Sequence, residues 1–206
     1  MEQILDLYER PYDPKRPLIC VDERPCQLID DILMPLPMAA GQPKRQDYHY
    51  KRNGVCTIFI AFEPLTGHRF VQVRKRRTKK EYATFMKYVA EHYPQAEQIE
   101  VIQDNLNTHN PGSFYVAFKP AEAFALAQRF QMHYTPTHAS WLNMVEIELS
   151  ILAKQCLDRR IGDIETLRAE VLAWVKERNA KRASVQWQFT KNKARDKFKR
   201  FYPYPS

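Results

Sequence analysis

The chain has 206 residues, 44% of them hydrophobic, which is enough to bury the core of one domain and little for two. No apolar run approaches the about 18 residues that a membrane span requires, and the acidic N-terminus differs from the basic start of a signal peptide. The formal net charge of +8, from 32 Lys and Arg against 24 Asp and Glu, favours a polyanionic partner over an acidic small substrate. We therefore expect a single soluble domain that does not contact a membrane.

The cysteines predict a reducing compartment. Cys20, Cys26, Cys56 and Cys156 include no C-x-x-C pair, and no His stands nearby at the spacing of a zinc site. Disulfide frameworks are typical of small secreted domains. We expect reduced thiols and a cytoplasmic location.

In chain order, residues 1–16 predict a lead-in or linker, with a short helical turn followed by an extended, proline-rich approach. The apolar run 18–22 predicts a first strand that ends at Asp22. Residues 25–50 contain several prolines and a basic tip, which indicates a long irregular insertion arm facing the substrate. The runs 55–62 and 68–74, joined by a turn with Pro and Gly, predict a hairpin.

Helical and strand patterns alternate in the second half of the chain. A capping box at Thr78 and Glu81 starts the first of these helices, and Asp163 caps the last one. The pattern is typical of an α/β fold with a mixed sheet, an antiparallel hairpin plus parallel strands, flanked by helices on both faces. The predicted elements are a helix over 78–92, a strand over 97–104, a helix over 121–130, a strand over 131–135, and helices over 142–157 and 164–178.

Three acids in the order Asp, Asp, Glu are the candidate functional residues. Asp22 and Asp104 end predicted strands, and Glu146 lies early in an apolar helix. Three carboxylates gathered on one spot raise each other's pKa unless cations lie between them. Oxygen ligands favour Mg²⁺ or Mn²⁺ over zinc, and two such ions about 4 Å apart can hold the attacking and leaving oxygens of a phosphoryl transfer. In such a site Asp22 would bridge the two ions, and Asp104 and Glu146 would hold one each.

Each of these acids also has an ordinary structural explanation. An aspartate at a strand end is often a turn or cap residue, and an exposed helical glutamate is common. Glu148 also lies near an edge of the apolar stripe of the same predicted helix, and it could take the role of Glu146. Asn105, His109 and Asn143 could orient ligands or phosphate, or could form local turn hydrogen bonds.

Two basic runs flank the acids along the chain. Residues 74–80 carry six cations in seven positions, and residues 181–200 end in a basic segment interleaved with aromatic residues. One run alone is equally compatible with a solvated surface, but two runs favour nucleic acid. The candidate DNA-binding residues are Arg74, Lys75, Arg76, Arg77, Lys79, Lys80, Lys191, Lys193, Arg195 and Lys197.

Three segments, ICVDE (19–23), VIQDNLNTH (101–109) and HYTPTHASWLNMVEIELSIL (133–152), resemble the catalytic blocks of the insertion-sequence branch of the mariner-like DDE transposases. The tail ARDKFKRFYP (194–203) is similar to the end of such proteins. The resemblance implies a ribonuclease-H-like catalytic domain over residues 17–206 that uses two Mg²⁺ or Mn²⁺ ions. It implies cleavage of DNA at transposon ends and transfer of the freed 3′ hydroxyl into target DNA, by a homodimer on DNA in a prokaryotic, nucleoid-associated setting.

The same resemblance assigns roles residue by residue. Asp22 and Asp104 fall on the family's first and second catalytic, metal-binding aspartates. Glu146 falls on its glutamate, because Asn143-Met-Val-Glu resembles the family's Asn-x-x-Glu. This match selects Glu146 over Glu148. Residues expected to support the metal ligands or position DNA are Glu23, Asn105, His109, Ser140, Trp141 and Asn143.

Two features depart from the family. Asp104 and Glu146 are 42 positions apart, which is longer than usual, and the surplus falls in residues 111–130. Family members carry N-terminal helix-turn-helix domains, and only about sixteen residues precede the first predicted strand here. We therefore expect a catalytic half without such a domain, either a separately translated reading frame, with an upstream half that recognises the ends, or a fragment. Two alternatives remain open: a ribonuclease-H-like nuclease without strand transfer, and a degenerate, non-catalytic DNA-binding remnant.

Overall fold

A five-stranded mixed sheet forms the centre of the computed structural model, which describes residues 1–34, 38, 40, 41 and 47–199. Its order is β3-β2-β1-β4-β5. The pairs β1–β2 and β2–β3 are antiparallel, whereas β1–β4 and β4–β5 are parallel, which confirms the predicted combination. The strands are β1 (Leu18–Asp31), β2 (Tyr50–Glu63), β3 (His68–Arg74), β4 (Ile99–Gln103) and β5 (Phe130–Tyr134).

Helices cover both faces of this sheet, as predicted. Because successive side chains of a strand point to opposite faces, β1 gives Cys20 to one apolar core and Ile19 and Val21 to the other. Helices α1, α5, α6 and α7 pack in the first core, and α2, α3 and α4 pack in the second. The helices are α1 (Glu2–Glu9), α2 (Lys79–Glu91), α3 (Gly112–Ala117), α4 (Pro120–Gln128), α5 (Val145–Gln155), α6 (Ile164–Ala180) and α7 (Lys191–Lys197).

Helix α1 is part of the core. Its apolar face is buried, and the Tyr8 hydroxyl donates a hydrogen bond of 2.7 Å to the carbonyl of Leu142. The same hydroxyl accepts a bond of 3.3 Å from the backbone N–H of Met144. Tyr8 therefore holds the segment that leads into α5.

The largest difference from prediction concerns β1. The sequence predicts a strand that ends at Asp22 and an irregular arm over 25–50, but β1 continues to Asp31 and pairs with β2 from Tyr50 onward. Pro25 is tolerated inside β1 because the strand stops pairing with β4 after Cys20, which leaves one edge free. Asp22 is therefore a mid-strand residue. Of the predicted arm, residues 35–37, 39 and 42–46, which include the basic tip, lie outside the described residues.

The described base of the arm is fastened to the loop after α5. The Arg160 guanidinium lies 2.6 Å from Asp31 Oδ1 and donates to the backbone carbonyls of Asp47 and His49 at 2.7 Å and 3.0 Å. Asn53 adds a bond of 2.9 Å to the carbonyl of Gly162. These contacts fix the direction in which the β1–β2 ribbon leaves the sheet.

Other differences are smaller. Helix α3 is not predicted, and the helix predicted from Leu142 begins at Val145, after one 3-10 turn at Ser140–Leu142. The Thr78 cap is confirmed, since its hydroxyl accepts from the N–H of Glu81. No helix in the described ranges combines the length and the apolar character needed to cross a bilayer.

Candidate active site

The three predicted acids line one open cleft of about 450 Å³. Asp22 comes from β1, Asp104 directly follows β4, and Glu146 lies in the first turn of α5. The parallel register pairs Cys20 with Ile102, so the two aspartates stand at the same level of neighbouring chain segments. Helix α5 packs on the sheet face to which Asp22 points, and it brings Glu146 to the same cleft.

Asp22 carries a charge that its surroundings do not compensate. Burial raises the pKa of Asp22 to about 7, and the negative charges of Glu23, Glu146 and Asp104 add to the rise. The backbone N–H of Glu23 donates a bond of 2.7 Å to Asp22 Oδ1, which offsets only part of this effect. A proton or another cation is therefore favoured on this carboxylate near neutral pH.

The other two acids differ in their environments. Burial raises the pKa of Glu146, the charge of Asp104 raises it further, and the charge of Arg24 partly offsets both. The hydrogen bond with His109 lowers the pKa of Asp104, against the opposing effect of burial. Asp104 is therefore the acid most firmly held in its charged form.

His109 bridges two carboxylates beneath the cleft. Its Nδ1 lies 2.5 Å from Asp104 Oδ1, its Nε2 lies 2.7 Å from Glu23 Oε2, and its side chain is fully buried. Burial alone would lower the pKa of His109, but the bonds to Asp104 and Glu23 outweigh burial and raise it to about 9. At neutral pH the imidazolium therefore donates to both carboxylates and fixes the orientation of Asp104.

Two arginines border the acids. Arg77 Nη1 lies 3.5 Å from Glu23 Oε1, and both Arg77 and Arg24 line the cleft. Arg77 belongs to the basic run predicted to bind DNA, whereas no sequence pattern indicated Arg24. Residues i and i+2 of a strand lie on the same face of the sheet. A prediction of β1 at its full length would therefore have placed Arg24 on the same face as Asp22.

Glu148 does not line the cleft. Its carboxylate is completely buried, 2.5 Å from Arg69 Nε and 3.0 Å from Arg178 Nη2. It therefore ties α5 to β3 and α6, whereas Glu146 faces the cleft from the same helix. This geometry supports the choice of Glu146 over Glu148.

The predicted supporting residues fall into two groups. Glu23 and His109 lie at the acids, and Asn143 is buried close by, with its Nδ2 donating a bond of 3.0 Å to the carbonyl of Val21. The structure does not bring Asn105, Ser140 or Trp141 into the cleft. Trp141, which is 42% exposed, instead packs against the aromatic side chains of Trp187, Phe189 and Phe198.

The two basic runs differ in how their charges are used. Arg74 bonds to Gln72 and lies 3.7 Å from Glu81. Lys75, Arg76, Lys79 and Lys80 are exposed, and their side chains make no hydrogen bond or ion pair with any described residue. The first run therefore offers charges that DNA could use.

Contacts within the protein hold the C-terminal run. Lys191 Nζ pairs with Asp6 at 2.8 Å, and Arg195 Nε pairs with Glu2 at 2.7 Å. Lys193 donates to the Gln188 carbonyl at 2.9 Å, and Lys197 Nζ lies 5.9 Å from the centre of the Phe189 ring. This run packs α7 against α1.

The cleft suits a hard divalent cation by the chemistry of its donors. Its ligand candidates are all carboxylate oxygens, and the charge of the partly buried Asp22 carboxylate is only partly compensated. In the part of the chain that is described, no three His, Cys, Asp or Glu side chains lie close enough together to hold one ion. The acids therefore share the cleft without converging, as expected for carboxylates that repel one another.

Comparison with known sequences gives one family. Residues 17–168 match the family described as DDE superfamily endonuclease. No curated protein is similar enough in sequence to match the chain.

Solved structures with the same fold include DNA transposition complexes. The chain is similar to the Mos1 mariner paired end complex with Mn, with a TM-score of 0.55 at 13% identity over 88% of this chain and 55% of that one. For the Mos1 strand transfer complex the TM-score is 0.54 at 13% identity, over 87% of this chain and 51% of that one. For the simian T-cell lymphotropic virus intasome with PP2A regulatory subunit B56 gamma it is 0.51 at 15% identity, over 96% and 60%.

These likenesses confirm the expected ribonuclease-H-like fold. At sequence identities of 13% to 15%, these likenesses show a shared fold alone. The chain spans between half and two thirds of the length of the structures it matches.

Proposed function

Because the chain belongs to the DDE superfamily endonuclease family, we propose that it is the catalytic domain of a transposase. It cleaves DNA at transposon ends and joins the freed 3′ hydroxyl to target DNA. The observation that carries this proposal is that β1, β4 and α5 place Asp22, Asp104 and Glu146 in the lining of one cleft. Similarity to a paired end complex and a strand transfer complex of Mos1 supports both the cleaving and the joining step.

The residues that would hold two Mg²⁺ or Mn²⁺ ions are Asp22, Asp104 and Glu146. The oxygen-only donor set favours these ions, and the Mos1 paired end complex is one with Mn. When bound, such ions neutralise the charge that develops on the attacking and leaving oxygens. Because the pKa of Asp22 is raised to about 7, cation binding there competes with a proton and weakens as pH falls below neutrality.

The protein's own residues supply orientation and charge. Glu23 acts through His109 to hold Asp104 Oδ1, the oxygen that also accepts from the N–H of Leu106. Asn143 ties the start of α5 to β1 beside Asp22. Arg24 and Arg77 place positive charge at the rim, where a phosphodiester would enter.

The proposed partners follow from the same family. The substrate is DNA at transposon ends and at the target site, bound by a homodimer, since paired ends require two active sites. Recognition of the end sequences would come from a helix-turn-helix half. We place this activity at the nucleoid of a prokaryotic cell.

A joining assay tests the proposal. Purified protein is incubated with Mg²⁺ and pre-cleaved DNA that carries the element's ends, with and without the end-binding half. The expected product is end DNA joined to target DNA. Cleavage without joined product would favour a nuclease of the same fold, and neither product, even with the end-binding half present, would favour a non-catalytic remnant.

A salt titration tests the interaction with DNA. Neutralising Lys75 and Arg76 to Gln should weaken binding equally for all sequences and should reduce the slope of log affinity against log salt by about 0.9 for each phosphate that the protein no longer neutralises. The matched pair Lys191→Gln and Lys193→Gln should change the slope less, because interactions within the protein already hold both side chains. Equal slopes for the first pair and the unaltered chain would make residues 74–80 a solvated surface.

A further inference from the structure

Two cysteines stand directly opposite each other on neighbouring strands. The antiparallel register of β1 and β2 pairs Cys26 with Cys56. Directly opposite residues of antiparallel strands have Cα atoms about 4.5 to 5.5 Å apart, and disulfides span Cα distances of about 4.4 to 6.8 Å. The backbone therefore already has the spacing that a disulfide requires.

The side chains also lie on one face of the sheet. Residues paired in this way point to the same face of the sheet, here the face covered by α5 and α6. Cys56 Sγ lies 3.6 Å from the carbonyl oxygen of Cys26, so its thiol leans towards the opposite strand. Both thiols are free, and Cys26 follows Asp22 on the same strand, so the pair lies just beyond the cleft.

The two thiols differ in access to reagents. Cys56 is only 1% exposed, whereas Cys26 is partly exposed. A hydrogen bond from the Cys56 thiol lowers the pKa of Cys26 to about 7, against the effect of burial, and the charge of Arg24 lowers it further. Cys26 is therefore the more exposed and the more acidic of two neighbouring thiols, which is the arrangement of an attacking and a resolving cysteine.

We propose that Cys26 and Cys56 form a redox-active pair that a peroxide converts to a disulfide across β1 and β2. The Cys26 thiolate attacks one peroxide oxygen, which gives a sulfenic acid and, after protonation of the leaving oxygen, water. The Cys56 thiol then attacks the sulfenic sulfur, the S–S bond forms and a second water leaves. Two thiols thus lose two electrons and two protons to one hydrogen peroxide.

The position of the pair gives the disulfide a structural consequence. It lies between Arg24, which lines the cleft, and the irregularity of the β1–β2 register at Leu28 and Ile29. A covalent link there joins the base of the arm to the sheet and limits the separation of the two strands. A thiol reductant reverses the link. This inference does not depend on the proposed catalytic function.

Oxidation of the whole chain tests the proposal. The protein is treated with hydrogen peroxide, the remaining thiols are blocked, and cross-linked peptides are identified by mass spectrometry with and without dithiothreitol. The expected result is the disappearance of two of the four thiols, a single Cys26–Cys56 link, and full recovery on reduction. A link between Cys26 and Cys156, or Cys26 oxidised to sulfinic acid while Cys56 stays a thiol, would overturn the proposal.

Variants distinguish the two roles. Cys56→Ser, which keeps a hydrogen-bond donor beside Cys26, should leave a sulfenic acid on Cys26 that a dimedone reagent labels, whereas Cys26→Ala should protect Cys56 from oxidation. Cys156→Ala is the matched control, because Cys156 borders the same core at the end of α5 and its removal should leave the link unchanged. Neither Cys26→Ala nor Cys56→Ser can form the proposed link, so the disappearance of two thiols in either variant contradicts it.

Discussion

The Asp104→Asn variant is expected to bind DNA as tightly as the unaltered chain and to lose nicking by about 100-fold or more. Changing a residue that only orients a metal ligand already costs about 10- to 100-fold in metal affinity or activity, and here the ligand itself changes. Asn keeps the shape of the side chain and can still accept from His109 Nδ1, but it brings no negative charge to the cleft. Nicking of supercoiled DNA in Mg²⁺ and fluorescence anisotropy with labelled DNA measure the two properties.

Asp158→Asn is the matched control for this experiment. Asp158 is an exposed carboxylate in the loop after α5 and does not line the cleft, so the same change should leave nicking unaltered. If Asp104→Asn nicks as fast as the unaltered chain, Asp104 has no part in the mechanism. If the Asp104→Asn variant loses both nicking and DNA binding, the carboxylate instead supports the fold of the DNA-binding surface.

Glu146→Gln and Glu148→Gln should have opposite effects, although they are two positions apart on α5. Glu148→Gln removes the buried charge between Arg69 and Arg178, and breaking a buried ion pair in this way costs about 3 to 5 kcal/mol of unfolding free energy. Glu146 faces the cleft, so Glu146→Gln should leave the unfolding free energy within about 0.5 kcal/mol and should abolish nicking. Urea unfolding followed by circular dichroism gives the two free energies.

Each of these two variants serves as the control for the other. Both change one glutamate to its amide on the same helix, so differences in helix propensity are minimal. A stable Glu148→Gln protein would mean that the two arginines find other partners. A Glu146→Gln protein that still nicks DNA would remove the helix-borne acid from the proposed site.

The sequence was sufficient for the core of the architecture. The apolar runs around residues 19 and 101 and the stripe from Leu142 to Leu152 predicted the elements that carry the three acids, because burial imposes a period on each of them. The Asn-x-x-Glu resemblance chose Glu146 over Glu148, and the cleft agrees with that choice. Local patterns thus located the candidate residues.

What depends on distant partners could not be predicted. Pro25 and the prolines after it indicate a loop, whereas pairing with β2 extends β1 to Asp31. Because the strand was predicted too short, Arg24 was not recognised as a neighbour of Asp22. The role of Glu148 depends on Arg69 and Arg178, which are 79 and 30 positions away. The different use of the two basic runs depends on α1, whose acids neutralise Lys191 and Arg195.

Two ion pairs, Asp6 with Lys191 and Glu2 with Arg195, join the first and last helices of the described chain. In the first of these helices, the Tyr8 hydroxyl accepts a hydrogen bond from the backbone N–H of Met144, two residues before Glu146. The segment that matches the family begins at residue 17, so α1 lies outside the matched segment although it packs in the first core. A catalytic core trimmed at that boundary would lose the hydrogen bonds that fix the start of α5, and with them the placement of its acid.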